Sequence, residues 1–108
     1  MVLDADRVEI GDNVVIGPNV TLCGAAHPIH PVSRTTGNGS PIIKAPIVIQ
    51  DNVWIGAGTT VLMGVTIGAG SVVGAHSLVT KDIPTGVVAA GTPCKVIRPI
   101  TEQDMHNW

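Results

Sequence analysis

The sequence predicts an all-β chain wound as a parallel β-helix, and three observations predict it. Aliphatic residues recur six apart, at Ile10, Ile16 and Leu22 and then at Ile49, Ile55, Val61, Ile67, Val73 and Val79. Two residues before each stands a second small or apolar residue: Val8, Val14, Val20, Ile47, Val53, Thr59, Val65, Ser71 and Ser77. Composition agrees: 13 glycines, abundant valine and isoleucine and few strong helix formers favour strands and turns.

A period of six contains the strand period of two, so each unit is a short strand with side chains alternately inward and outward. Three such units make one 18-residue coil, and successive coils stack at roughly 4.8 Å, the parallel ladder spacing. The glycine that often follows the aliphatic residue is expected to supply the positive φ of a sharp corner. The tracts 8–22 and 47–82 then give three coils, and residues 83–91 a partial fourth. An antiparallel sandwich of short strands is the competing fold. The constant period and the lack of Asn-Gly hairpin signals between strands speak against it.

Residues 1–100 form the β-helix domain in this reading, and 101–108 a short helical tail. Thr101 is the expected cap of that helix, with acidic side chains in its first turn. The segment IPTGVVAAGTPCKVIRP before it leaves the period. At the other end the repeats begin within a few residues, so the cross-section of the first coil is expected to be covered either by a segment missing here or by another molecule.

Between the tracts, residues 23–46 interrupt the rhythm with CGAAHPIHPVSRTTGNGSP. A stacked coil admits an insertion only at a corner, so this is one long external loop, a kind that is functional or disordered. Pro28 and Pro31 hold His27 and His30 extended, whereas SRTTGNGS reads as flexible. Three roles are open to the histidines. One is general-base catalysis, for which the imidazole pKa is suited. A second is zinc binding by His27, His30 and His76, although HPIH is an awkward chelating spacing without an acidic second shell. The third is a solvated loop that happens to contain them.

Charge and composition exclude other classes. A net charge of −2 gives no basic field for nucleic acid, and with no Phe or Tyr only Trp54 and Trp108 could stack on bases. No run approaches the roughly 18 apolar residues of a membrane span, and MVLDADRVEI lacks the form of a signal peptide. Cys23 and Cys94 lack metal-type spacing and read as free thiols, so the expected setting is cytoplasmic.

The runs VEIGDNVVIGPNVTLCGAAHPIHP and IVIQDNVWIGAGTTVLMGVTIGAGSVVGAHSLVTKDIPTGVVAAGTPCKVIR resemble the galactoside and maltose O-acetyltransferases, hexapeptide-repeat enzymes that use acetyl-coenzyme A. The resemblance extends over nearly the whole chain. It implies a left-handed β-helix and a homotrimer with sites between subunits. It implies His27 as the general base, with direct attack of an acceptor hydroxyl on the thioester and no metal. For the coenzyme it implies backbone contacts at Ala57 and Ala75, with Thr80, Lys81, Lys95 and Arg98 near the phosphates. Guanidinium and ammonium groups suit a phosphate physically. On the acceptor side it implies Trp54 near the acyl end and Asp4 as an acid. His30 takes no role from it, and Cys23 and Cys94 read as packing. The acceptor is expected to be a sugar or similar small hydroxyl compound. Two alternatives stand beside this: a non-catalytic trimer that binds coenzyme A or serves as a scaffold, and an O-acetyltransferase of xenobiotics. The family's N-terminal segment has no counterpart here, and the loop after His27 is a few residues longer.

Overall fold

In the computed structural model, residues 1–3, 7–27, 29–35 and 43–105 are described. Among the described residues, fourteen strands follow one another along the chain. The first five are β1 (Val2–Leu3), β2 (Val8–Ile10), β3 (Val15–Ile16), β4 (Thr21–Cys23) and β5 (Ala25–Ala26). A single helical turn, α1 (Pro31–Arg34), precedes β6 (Ile43–Lys44). The next six are β7 (Ile47–Ile49), β8 (Trp54–Ile55), β9 (Thr60–Leu62), β10 (Thr66–Ile67), β11 (Val72–Val73) and β12 (Leu78–Val79). Then come β13 (Val87–Gly91) and β14 (Cys94–Pro99), and a 3-10 turn, Glu102–Met105.

Eleven of these strands make three parallel stacks, in the orders β1-β4-β9-β12, β10-β7-β2 and β13-β11-β8-β3, and together they are the faces of a left-handed parallel β-helix. The usual right-handed crossover arises where a twisted strand feeds a helix. Here two- and three-residue strands joined by tight corners give that preference nothing to act on. Register follows the sequence period. Ile10, Ile49, Ile67 and Ile83 form one column, Ile16, Ile55, Val73 and Ala89 a second, and Leu22, Val61 and Val79 a third.

The columns fill the axis, and Ile49, Ile55, Val61, Ile67, Val73 and Val79 are all buried. The first coil differs, and the reason is local. Strand β1 lies against β4, Val2 beside Leu22, and Leu22 is 3% exposed. No described strand lies beyond β2 or β3, and there Ile10 is 48% and Ile16 40% exposed. The expectation that both point fully into the core is therefore met only where a further strand covers the column.

The corner glycines act differently from expectation. Gly11, Gly17, Gly56, Gly68 and Gly74, next to the column residues, are not in the left-handed region. They are small because the next coil's backbone lies against them: a Cβ on Gly56 would sit 2.6 Å from the Ala75 nitrogen. Their N–H groups continue the ladder, Gly56 donating to the Val73 carbonyl at 2.8 Å. The positive φ comes two residues later, at Asn13, Asn19, Asn52, Gly58, Gly64, Gly70, His76 and Gly86. Asparagine and glycine are the residues that enter this region most cheaply.

Where the repeat ends, hydroxyls replace methyls. Ser71 Oγ donates to the Pro84 carbonyl at 2.6 Å and accepts from Val87 N–H at 3.0 Å. Ser77 Oγ donates to the Gly74 carbonyl at 2.7 Å and accepts from Gly91 N–H at 3.1 Å. Both serines are buried, so these bonds satisfy polar groups that water cannot reach. The departing chain then folds β14 antiparallel onto β13 as a hairpin beside the last coil.

Candidate active site

Call the corner after the Ile16 column B and the corner after the Leu22 column C; the candidate residues divide between them. The chain leaves the first coil at corner C through Cys23, whose thiol donates to the Ala25 carbonyl at 3.4 Å. It is not an unstructured loop there. Strands β5 and β6 pair antiparallel, Ala25 with Lys44 and Ala26 with Ile43. His27 follows directly and is exposed, so a two-stranded ribbon carries the imidazole off the coil.

Beyond it, His30 has a role that the sequence did not assign. It is extended (φ −69°, ψ 129°), as its place before Pro31 requires. Its Nδ1 accepts the Val32 N–H at 3.1 Å and caps α1, with Pro31 in the first turn. The Thr35 hydroxyl closes the turn by donating to the Pro31 carbonyl at 2.6 Å. Ser33 and Arg34, expected in a flexible stretch, are thus helical. His76 sits at corner B with φ +57°, stacked on Gly58, and not with the loop histidines. Among the described residues no three His, Cys, Asp or Glu side chains form a group able to hold a metal ion.

At corner C of the third coil, Thr80 and Lys81 are exposed and follow β12. Ala57 and Ala75 succeed one another at corner B, each one residue past a corner glycine. Their methyl side chains leave the backbone approachable from outside. On the adjoining face the strand register sets Val15, Trp54, Val72, Val88 and Arg98 in one row. Trp54 is 53% exposed in that row. Lys95 pairs with Ala90 at the corner B end of the same face. The structure therefore gathers Trp54, Ala57, Ala75, Lys95 and Arg98 around one face and corner, and sets His27, Thr80 and Lys81 at another corner. Asp4 lies outside the described residues.

Arg98 does not stand alone. Its Nη1 and Nη2 donate to the two carboxylate oxygens of Asp104 at 2.9 and 2.8 Å, and Nη1 also donates to the Pro99 carbonyl at 3.1 Å. Asp104 in turn accepts the Thr101 N–H at 2.8 Å. The guanidinium, and next the Thr101 amide, hold the Asp104 carboxyl down to about 2. Sequence reasoning missed this partner, although Thr101-x-x-Asp104 has the spacing of a capping box. An open groove of about 470 Å³ lies beside the pair, lined by Arg98, Pro99, Thr101, Gln103 and Asp104. Another, of about 420 Å³, lies between Glu9, Gln50, Asp51 and Ala69 and holds none of the candidate residues.

Cys94 does not have the setting of a nucleophile. Burial pushes the Cys94 thiol up, a hydrogen bond with Ser77 only partly opposing it, and a protonated thiol is a poor nucleophile. Both cysteines are free. No helix among the described residues is long and apolar enough to cross a membrane.

Comparison with known proteins agrees with this architecture. Residues 46–81 match the family described as bacterial transferase hexapeptide (six repeats), and residues 7–26 that described as hexapeptide repeat of succinyl-transferase. The chain is 52% identical over 107 residues to a galactoside O-acetyltransferase of Escherichia coli (strain K12), covering 99% of this chain and 51% of that one. A solved galactoside acetyltransferase in complex with coenzyme A superposes with a TM-score of 0.91 at 53% identity, over 96% of this chain and 50% of that one. A maltose O-acetyltransferase from Clostridium difficile 630 superposes with a TM-score of 0.84 at 47% identity, over 94% and 54%. The chain spans about half the length of the curated relatives it matches first.

Proposed function

We infer from its likeness to the galactoside and maltose O-acetyltransferases that the chain is a hexapeptide-repeat transferase, and on that premise we propose that it transfers acetyl groups from acetyl-coenzyme A to a hydroxyl of a sugar or similar small acceptor. The observation that carries the reading is the β5–β6 ribbon, which lifts His27 off an otherwise closed coil. An imidazole held at the end of a short ribbon is accessible and restrained at once, as a general base must be.

His27 takes the proton from the acceptor hydroxyl as its oxygen attacks the thioester carbonyl carbon. The carbon–sulfur bond breaks, the imidazolium returns the proton to the departing thiolate, and an O-acetyl ester and free coenzyme A leave. No acyl-enzyme is needed, in keeping with the raised Cys94 thiol. The coenzyme's pantetheine arm runs along corner B past Ala57 and Ala75, with Trp54 toward the acyl end. Lys95 and Arg98 take its phosphates together with Thr80 and Lys81. Asp4 is the proposed acid on the acceptor side.

The candidate residues occupy two corners of one chain, which supports a homotrimer in which corner B of one copy meets corner C of the next. Exposed apolar side chains on both parts favour such burial: Ile29, Val32 and Ile43 beside the ribbon, and Val15, Trp54 and Val96 on the opposing sheet. The two free thiols suit a reducing compartment such as the cytoplasm.

The test is acceptor-dependent thiol release from acetyl-coenzyme A with galactosides, maltose and glucose, the product identified by mass as the acetyl ester. Release with at least one of these sugars is expected. Silence with all of them, while coenzyme A still binds, would leave only a coenzyme-binding scaffold.

A further inference from the structure

We infer that Asp104 is a positioning residue for phosphate recognition, holding the Arg98 guanidinium so that its unused edge faces the groove beside it. The inference rests on the reading above that Arg98 meets a phosphate of the coenzyme. A guanidinium has five N–H donors in a fixed planar fork. Three are engaged here: both hydrogens of Nη1, by the Pro99 carbonyl at 3.1 Å and one Asp104 oxygen at 2.9 Å, and one of Nη2, by the other Asp104 oxygen at 2.8 Å. The two left over, on Nε and Nη2, lie parallel along one edge, the pair that grips a phosphate bidentately.

The hold is itself fixed. Asp104 is tied to the Thr101 N–H at 2.8 Å, within a 3-10 turn whose Asp104 N–H donates to the Thr101 carbonyl at 3.0 Å. Ile100 N–H anchors the segment to the Gly86 carbonyl at 2.8 Å. Arg98 is otherwise a long side chain on a solvent-facing strand, and ordering such a chain on binding costs rotamer entropy. A prearranged clasp removes that cost before the ligand arrives. The groove of about 470 Å³ bounded by Arg98 and Asp104 offers the space.

The experiment measures dissociation constants for coenzyme A and for 3′-dephospho-coenzyme A, whose ratio reports recognition of the 3′-phosphate alone. The chain is compared with Arg98→Ala, Asp104→Ala and Asp104→Asn. Arg98→Ala should cut the preference for coenzyme A by about ten- to a hundredfold. Each Asp104 variant should cut it by about three- to tenfold while leaving the dephospho ligand's affinity unchanged, because a misfolded protein would lose both ligands. In Asp104→Asn an amide N–H₂ replaces one of the two accepting oxygens, so the bidentate, charged clasp is lost without loss of volume. If Arg98→Ala leaves the preference intact, the phosphate reading of Arg98 falls and the inference with it. If Arg98→Ala removes the preference but the Asp104 variants keep or increase it, or weaken both ligands equally, Arg98 stands as the phosphate contact and the positioning role of Asp104 is overturned.

Discussion

Replacing Ile55 and Ile16 by alanine, one at a time, tests whether stability in this coil depends on cover from both sides. The two residues are neighbours in one column, Ile16 beside Ile55 and Ile55 beside Val73. Ile55 is 0% exposed and Ile16 40%. Each substitution removes three carbon groups, a transfer term of about 2.4 kcal/mol at full burial. At Ile55 the ladder bonds fix the coil spacing, so the space cannot close and a cavity term adds, bringing the cost to about 3–4 kcal/mol. At Ile16 about three-fifths of the transfer term applies and the space opens to solvent, so the cost is about 1.4 kcal/mol. The difference of about 2 kcal/mol corresponds to about 8–16 °C in Tm for a domain of this size. Equilibrium unfolding in urea, followed by circular dichroism at one fixed protein concentration, measures it. Equal costs at the two sites would show the first coil to be covered, and the reasoning would fail.

Four further outcomes follow from the corner glycines, Ser71 and the clasp. Gly56→Ala should destabilise by about 1–3 kcal/mol, because its Cβ meets the Ala75 backbone nitrogen at 2.6 Å. Gly70→Asn should cost less than 0.5 kcal/mol by the same urea titration, since Gly70 has open space and Asn13 and Asn52 hold the equivalent positive φ. Ser71→Ala leaves the Pro84 carbonyl and the Val87 N–H without their partner and should cost about 1–3 kcal/mol. Finally, the folded Asp104 carboxyl, lowered from 3.8 to about 2, stabilises the chain above pH 4 and loses that contribution as pH falls from 4 toward 2. Asp104→Asn should flatten this part of the acid-unfolding curve, and an unchanged curve would show the clasp to be idle.

The coil was legible because its cause is local and repeated: an aliphatic residue every six positions and a small partner two before it dictate strand, face and register together. What the sequence hid depends on neighbours far along the chain. Gly56 is small because Ala75 lies against it one coil later, a contact that no local pattern states, and so its glycine was misread as a source of positive φ. Asn13, Asn19 and Asn52, which supply that φ, carried a readable signal of their own in their left-handed preference. Ile10 and Ile16 have the same pattern as Ile49 and Ile55, yet burial depends on what stacks next to them. In the loop, the proline that opens α1 was readable, but the β5–β6 pairing joins residues at opposite ends of the insertion. His27 could be singled out by its type and place. The engagement of Arg98 with Asp104 needed the turn that brings Thr101 and Asp104 together.

The most direct test of the account is the turnover of His27→Ala and His27→Gln with saturating acceptor, beside their affinity for coenzyme A. The account predicts that kcat falls by about 10²–10⁴-fold in both while coenzyme affinity stays unchanged, since His27 moves the proton and does not hold the coenzyme. A variant that keeps its turnover would contradict it, and the base would have to be sought away from the ribbon.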